Sequence, residues 1–260
     1  MNLKITTFNI RLNHTMDKDN AWPYRKNSMI KFFNEYHPLV FGTQEVLDDQ
    51  LTDLLNGLPD YHYIGINRKQ HEEGNYIFYD KSVLECKEAC TFWLSETPYV
   101  PNSVSYNSGC VRICTFGEFI FKDNRNLRFR IFNTHLDHIS NIAQVEGIKI
   151  VINKMREKQE IDPLPTIIMG DFNVTDDSEV IKLLNETGLV NVYQYIDPAN
   201  YGATFHAFKG TKTGSPIDYI FVSPEFKITE VLIYRELVDG RFISDHYPVL
   251  ATITVSEGKI

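Results

Sequence analysis

The sequence predicts one α/β sandwich domain, on three observations. Ten β-rich runs recur from end to end, four amphipathic helical patterns lie between them, and no linker, repeat or low-complexity segment divides the chain. The first run, LKITTFNI (residues 3–10), alternates in the manner of a half-buried strand. WPYRKNSMIKFFNEYH (22–37) reads as a helix, with proline near its start, an apolar Met29/Ile30/Phe33 stripe, and His37-Pro38 to end it. LVFGTQ (39–44) is the second strand, and VLDDQLTDLLNGL (46–58) the second helix, with Gly57 as its C-cap. Four strands follow: YHYIGI (61–66), NYIFYD (75–80), RICTFGEFIF (112–121) and RFRIFNTHL (128–136). The third helix spans SNIAQVEGIKIVINKMREKQE (140–160), with Ser140 as N-cap and cations in its final turns. TIIMGDF (166–172) is a strand, and SEVIKLLNETG (178–188) a helix closed by Gly188. Residues 195–216 carry little pattern, and a loop that long in a compact domain is usually functional or mobile. IDYIFV (217–222), ITEVLIY (228–234) and YPVLATITV (247–255) complete the strands.

Composition narrows the function classes. A hydrophobic content of 43% over 260 residues supports a substantial core. No apolar stretch approaches the ~18 residues of a membrane span, and the N-terminal residues lack the apolar region of a secretion signal. Cys86, Cys90, Cys110 and Cys114 form two i,i+4 pairs without zinc-type spacing, so reduced thiols in a cytoplasmic protein are expected. A net charge of -8 argues against tight duplex-DNA binding, which wants a basic face. A local basic rim, or a metal ion, would have to supply positive charge.

The residues that end the apolar strands carry the chemistry. TTFNIR stops at Asn9, PLVFGTQEV delivers Glu45, and RFRIFNTHLDH delivers Asn133, His135 and Asp137. TIIMGDFN delivers Asp171 and Asn173, SPIDYIFVS opens with Asp218, and ISDHYPVL opens with Asp245 and His246. Any one of these alone is an ordinary turn residue. Together, at one rim of a sandwich, they would form an acidic pocket with two histidines. Oxygen ligands of this type suit a hard cation such as Mg²⁺, with Mn²⁺ as the substitute, and such an ion polarises a phosphoryl group. Asp176 or Asp177 is read as an N-cap and Glu179 as a first-turn acid of the following helix.

Six motifs, TFNIR, TQE, NTHLD, GDFN, IDYIFVS and SDHYPV, stand in the order found in the endonuclease/exonuclease/phosphatase superfamily, and from residue 3 to about 254 the chain resembles its members. FWLSETP and RICTF place the resemblance in a bacterial branch of undefined substrate, near the deadenylase-like members. The resemblance implies a deoxyribonuclease I-like fold of four layers, two packed, mostly antiparallel β-sheets flanked by helices. It implies that Asn9 and Glu45 hold the metal, with Asp245 as second ligand or support. It implies that His135 contacts the scissile phosphate, Asp171 orients or deprotonates the attacking water, Asn173 holds that water, and Asp218 fixes His246. The chain lacks the WCDR-like run of the phosphoinositide 5-phosphatases and the tryptophan that precedes the IDYIF equivalent in abasic-site endonucleases.

Three further positions are substrate-binding candidates. Glu73 in EEGNYIFY lies beside His135 or the metal, or else in an exposed turn. Arg112 in GCVRICTF holds a substrate phosphate, or else is a surface cation. His206 lies in the long loop, where Tyr201, Phe205 and Phe208 are rings able to stack a base. The expected protein is a Mg²⁺-dependent phosphoesterase working by in-line water attack on a phosphodiester or phosphomonoester. A nucleotide or a single-stranded RNA 3′ end is favoured over a phospholipid or sugar phosphate. The rival is a catalytically silent binding module, which the full set of motif residues argues against.

Overall fold

In a computed structural model, which describes residues 2–255, twelve strands form two six-stranded sheets. The first sheet contains β1 (Asn2–Asn9), β2 (Val40–Val46), β3 (Tyr61–Asn67), β4 (Gly74–Asp80), β11 (Phe226–Ile233) and β12 (Val249–Val255), in the order β11-β12-β1-β2-β4-β3. The second contains β5 (Leu84–Trp93), β6 (Ile113–Phe121), β7 (Arg128–His135), β8 (Thr166–Asp171), β9 (Val190–Asn191) and β10 (Asp218–Val222), in the order β5-β6-β7-β8-β10-β9. Each sheet is antiparallel except for one central parallel pair, β1 with β2 and β7 with β8. Parallel neighbours need a crossover, and helices α1 (Trp22–Tyr36) and α3 (Asn141–Ile161) supply the two. Because parallel strands run the same way, the C-terminal ends of β1 and β2 share one edge, as do those of β7 and β8.

Four layers result. Phe8, Phe41 and Phe78 on the first sheet pack against Met29 and Phe33 of α1 and Leu54 of α2 (Asp48–Gly57). Phe33 stacks on Phe41 with centroids 4.0 Å apart. The second sheet is covered by α3 and by α4 (Glu179–Asn185) through Ile148, Val151 and Leu184. Between the sheets, Asn133 is a buried clasp. Its amide donates to the Thr43 and Tyr76 carbonyls and accepts from Gln44 at 2.7 Å, so it serves the inter-sheet core and not the rim.

Two expectations need correction, and two strands, β5 and the two-residue β9, go beyond the ten expected runs. The strand β5 carries no readable alternation, because it is an edge strand whose middle is exposed and whose register shifts at a bulge between Cys86 and Glu88. Gly57 is the last residue of α2, and Leu58 takes the C-cap. A Cβ on Gly57 would stand 2.5 Å from Ile30, so glycine there permits close helix packing. Ser178, and neither Asp176 nor Asp177, caps α4 by accepting from the Ile181 amide. Asp176 accepts from the Tyr201 hydroxyl, and Asp177 from Thr175.

Gly170 fixes the strand end that matters most. Its φ is +149°, and a Cβ there would lie 1.8 Å from the Thr134 carbonyl oxygen on the neighbouring β7. No side chain fits between β7 and β8 one residue before Asp171. Gly170→Ala is therefore expected to destabilise the fold by at least ~3 kcal/mol, combining a forbidden contact with backbone strain. Denaturant titration checks it, and a loss under about 1 kcal/mol would contradict the close approach.

Candidate functional site

The strand ends converge. A cavity of about 610 Å³ is lined by Glu45, Glu73, Arg112, His135, Asp171, Asn173, Asp245 and His246, with Asn9 and Asp218 bonded directly behind them. Asn9 ends β1 and donates one amide group to two carboxylates, Glu45 and Asp171, each at 2.9 Å. That single side chain joins the two sheets at the rim. Its own oxygen accepts from the Arg11 amide at 3.0 Å.

Glu45 reaches the cavity through a backbone irregularity. The β2–β4 register shifts between Thr43 and Val46, and Glu45 takes a left-handed φ of 63°. A bulge of this kind re-aims a side chain that regular alternation would place elsewhere. Asn173 also has positive φ, 53°; its amide N–H donates to Asp171 at 3.0 Å and its side chain to the Leu136 carbonyl.

Asp171 is the electrostatic centre. It is 1% exposed and lies directly opposite Asp218 in the β8–β10 pairing. Burial and then the Asp218 charge push its carboxyl above the usual carboxylate range. His135 Nε2 stands 3.5 Å and His246 Nε2 3.7 Å from the same Asp171 oxygen. The two imidazoles differ in charge for a physical reason. Around His246, burial opposes protonation, but Asp218, bonded to its Nδ1 at 2.9 Å, and Asp171 outweigh it and raise it to about 10. Around His135, burial and then the Arg112 guanidinium act together and hold the ring well below its ordinary value. The surroundings thus favour the charged form of His246 and the neutral form of His135.

Glu73 lies 3.9 Å from His135 Nδ1, which has no hydrogen-bond partner, and bonds Arg68 at 2.8 Å. Burial, followed by repulsion from Glu45, raises the Glu73 carboxyl. Arg112 is 6% exposed; it bonds the His138 ring at 3.0 Å while its Nε has no partner. Asp137 accepts from the Ile139 and Ser140 amides, and from Ser108 and Gly109, fixing the turn into α3.

The Endonuclease/Exonuclease/phosphatase family model matches residues 6–246. This chain belongs to that family. Among solved structures, an endonuclease/exonuclease/phosphatase family protein from Bacteroides thetaiotaomicron is 32% identical with a TM-score of 0.92, over 99% of this chain and 96% of that one. A mannosyl-6-phosphatase of Bacteroides thetaiotaomicron VPI-5482 is 34% identical with a TM-score of 0.89, over 97% and 99% of the two chains. The human Nocturnin catalytic domain, with bound sulfate, shares the fold at 16% identity and a TM-score of 0.78, over 98% and 94%. No curated protein matches in sequence. Family members are hydrolases of phosphate esters and generally use divalent metals.

The donor set fits such an ion. Burial, and among the charges Glu45, raise the Asp245 carboxyl, so this corner holds more negative charge than it can solvate. The carboxylates of Glu45 and Asp245 offer the oxygen ligands that hard cations take, whereas Asn9 turns its NH2 toward Glu45 and Asp171 and its oxygen toward the Arg11 amide, and so orients the acids. Among the described residues, Asp171, Asp218 and His246 also bring ligand atoms within 4.8 Å of one another. No helix among those residues is long and apolar enough to cross a membrane.

His206 does not join the site. It is 3% exposed, stacked on Tyr247 at 3.9 Å and beside Phe242, because its loop folds back on the core. Sequence reasoning also missed Arg25, Arg11, Ser244 and Asp17. Arg25, fully buried, donates to the carbonyls of Ile10, Arg11, Asn20 and Ile243, and so ties the segment after β1 to the segment carrying Asp245. Ser244 donates to the Asn9 carbonyl at 2.7 Å. The Arg25 and Ser244 contacts use main-chain acceptors, two of them more than 200 positions away, and leave no motif to find.

Burial and then His246 lower the His206 ring from 6.5 to about 4, so folding favours its neutral form. The stability it contributes is whole above pH 6.5 and is lost as pH falls toward 4. The melting temperature of the wild type should therefore drop more than that of His206→Phe between pH about 7.5 and about 4.5. Equal drops would show that His206 is not buried neutral.

Proposed function

We propose that the protein is a divalent-metal-dependent phosphatase whose substrate is a small phosphomonoester of sugar type. The observation that carries the reading is the convergence of both imidazoles on one buried Asp171 oxygen, His135 at 3.5 Å and His246 at 3.7 Å. Asp171, a stronger base than an ordinary carboxylate, orients the attacking water and accepts its proton, with Asn173 holding that water. His246, held toward its charged form and oriented by Asp218 at 2.9 Å, donates to a phosphoryl oxygen. His135 donates to a second phosphoryl oxygen. Glu45 and Asp245 would hold Mg²⁺ or Mn²⁺, with Asn9 orienting Glu45, and the ion would supply Lewis-acid polarisation of the phosphoryl group. Arg112, whose side chain lines the same cavity, suits the extra negative charge of a monoester, and Glu73 faces it as its counter-charge.

The sugar-phosphate reading replaces the preference for nucleic acid for two reasons. The mannosyl-6-phosphatase matches this chain over nearly the whole of both. Of the three rings suited to base stacking, Tyr201 is anchored on Asp176 and lies outside the cavity lining. A nucleotide or RNA 3′ end remains the second reading because Phe205, 45% exposed, stands at the cavity with its ring 5.0 Å from that of His246. A panel of hexose 6-phosphates, nucleoside monophosphates and short oligoribonucleotides discriminates: fastest turnover of the hexose phosphates is expected, and exclusive turnover of the nucleic acids would overturn the choice.

Chelation by EDTA should abolish hydrolysis, and Mg²⁺ or Mn²⁺ should restore it. Full activity after exhaustive chelation would end the metal reading. Asp171→Asn is expected to cut turnover roughly 10²–10⁴-fold at every metal concentration. Glu45→Gln should lose activity that excess metal partly rescues, and identical metal dependence in the two variants would mean that base and ligand are misassigned.

A further inference from the structure

Arg11 follows the first motif strand, lines the catalytic cavity and has no part in the mechanism above. Its φ is 58°, a left-handed conformation uncommon outside glycine and asparagine. The surroundings hold it there: its carbonyl accepts from the buried Arg25 and from Gln50. The side chain is thereby directed at the acids. Its guanidinium bonds Asp17 through two nitrogens, at 2.9 and 3.0 Å. The same group stands 3.8 Å from Glu45 and 3.7 Å from Asp245. These last two distances are too long for hydrogen bonds and short enough for strong charge attraction.

We infer that Arg11 is an internal competitor for the metal, a tethered cation that neutralises Glu45 and Asp245 in the metal-free protein and sets how weakly a divalent ion binds there. The inference rests on the reading of Glu45 and Asp245 as metal ligands. Asp17 holds the guanidinium beside these acids while absorbing part of its charge. Three carboxylates, Asp17, Glu45 and Asp245, then face two guanidiniums, Arg11 and Arg25. Arg25 is tied to carbonyls, whereas Arg11 is half-buried and bonds only Asp17, with Glu45 and Asp245 within reach of its charge. An incoming ion has to displace Arg11 or endure its repulsion, which keeps the site exchangeable. Such a device suits a pocket that must fold without its metal and not collapse from self-repulsion.

The two partners should act in opposite directions, which a merely structural role would not produce. Mn²⁺ binding to the full-length protein is measured by calorimetry, without substrate. Arg11→Met, and Arg11→Asn as the substitution that best tolerates the backbone conformation, should bind Mn²⁺ roughly tenfold tighter or better, since a nearby unit charge is removed. Both should also melt lower than wild type when metal-free. Asp17→Asn frees the full Arg11 charge for the metal-binding acids and should bind Mn²⁺ more weakly. Equal or weaker binding by both Arg11 variants, or wild-type affinity in Asp17→Asn, would overturn the inference. Glu45→Gln separates this failure from failure of the site itself: if wild type does not bind Mn²⁺, or Glu45→Gln binds it unchanged, the metal is not held here and the inference falls with the site.

Discussion

The removal of Asp171 from water is the constraint on which the site depends. A carboxylate with 1% exposure, directly opposite another across a strand pair, is a costly arrangement in isolation. The molecule offsets it locally. Asn9 donates from the other sheet, the Asn173 amide donates from the following turn, and the His246 ring, favoured in its charged form, stands 3.7 Å away. Gly170 allows β7 and β8 to approach closely enough for His135 to reach the same oxygen. Loss of this carboxylate would leave these donors without their shared acceptor, and the site would lose both its base and its geometric centre.

The fold makes that concentration of polar groups possible by repeating one arrangement. Each sheet has a strand–helix–strand unit with a central parallel pair, and each pair presents its C-terminal ends at the rim. Asn9 and Glu45 come from one pair, His135 and Asp171 from the other. The amide bridge from Asn9 to both carboxylates ties the two rims together. The antiparallel neighbours β10 and β12 bring Asp218 and the segment before Val249 to the same place. The bias of each ring then follows from its neighbours: Asp218 and Asp171 favour charge on His246, while burial and the Arg112 guanidinium oppose it on His135 despite Asp171 and Glu73 nearby.

Much of this was legible in the sequence, for a specific reason. Asp171, His135, Asp218 and His246 stand where apolar runs begin or end, and such residues have few places to go except the rim of a sandwich. What was not legible depends on contacts that carry no local signature. Glu45 enters the cavity through a bulge and a left-handed backbone, which the run TQEV does not announce. Arg25 bonds a carbonyl 218 positions away. The exposed middle of β5 hides its strand character, and the aromatic packing of His206 could not be told from a ligand position by a lone histidine in a loop.

Family membership supports phosphate-ester hydrolysis as the chemistry of this chain. The account of how it proceeds here rests on two imidazoles of unequal charge held against one carboxylate. Side-chain ¹⁵N spectra of the metal-free protein, labelled at histidine and recorded near pH about 8, test this directly, because an ordinary histidine is neutral there. The account predicts that His246 keeps protons on both ring nitrogens, with the Nδ1 proton shared toward Asp218, while His135 carries one. A neutral His246, or a doubly protonated His135, would contradict it.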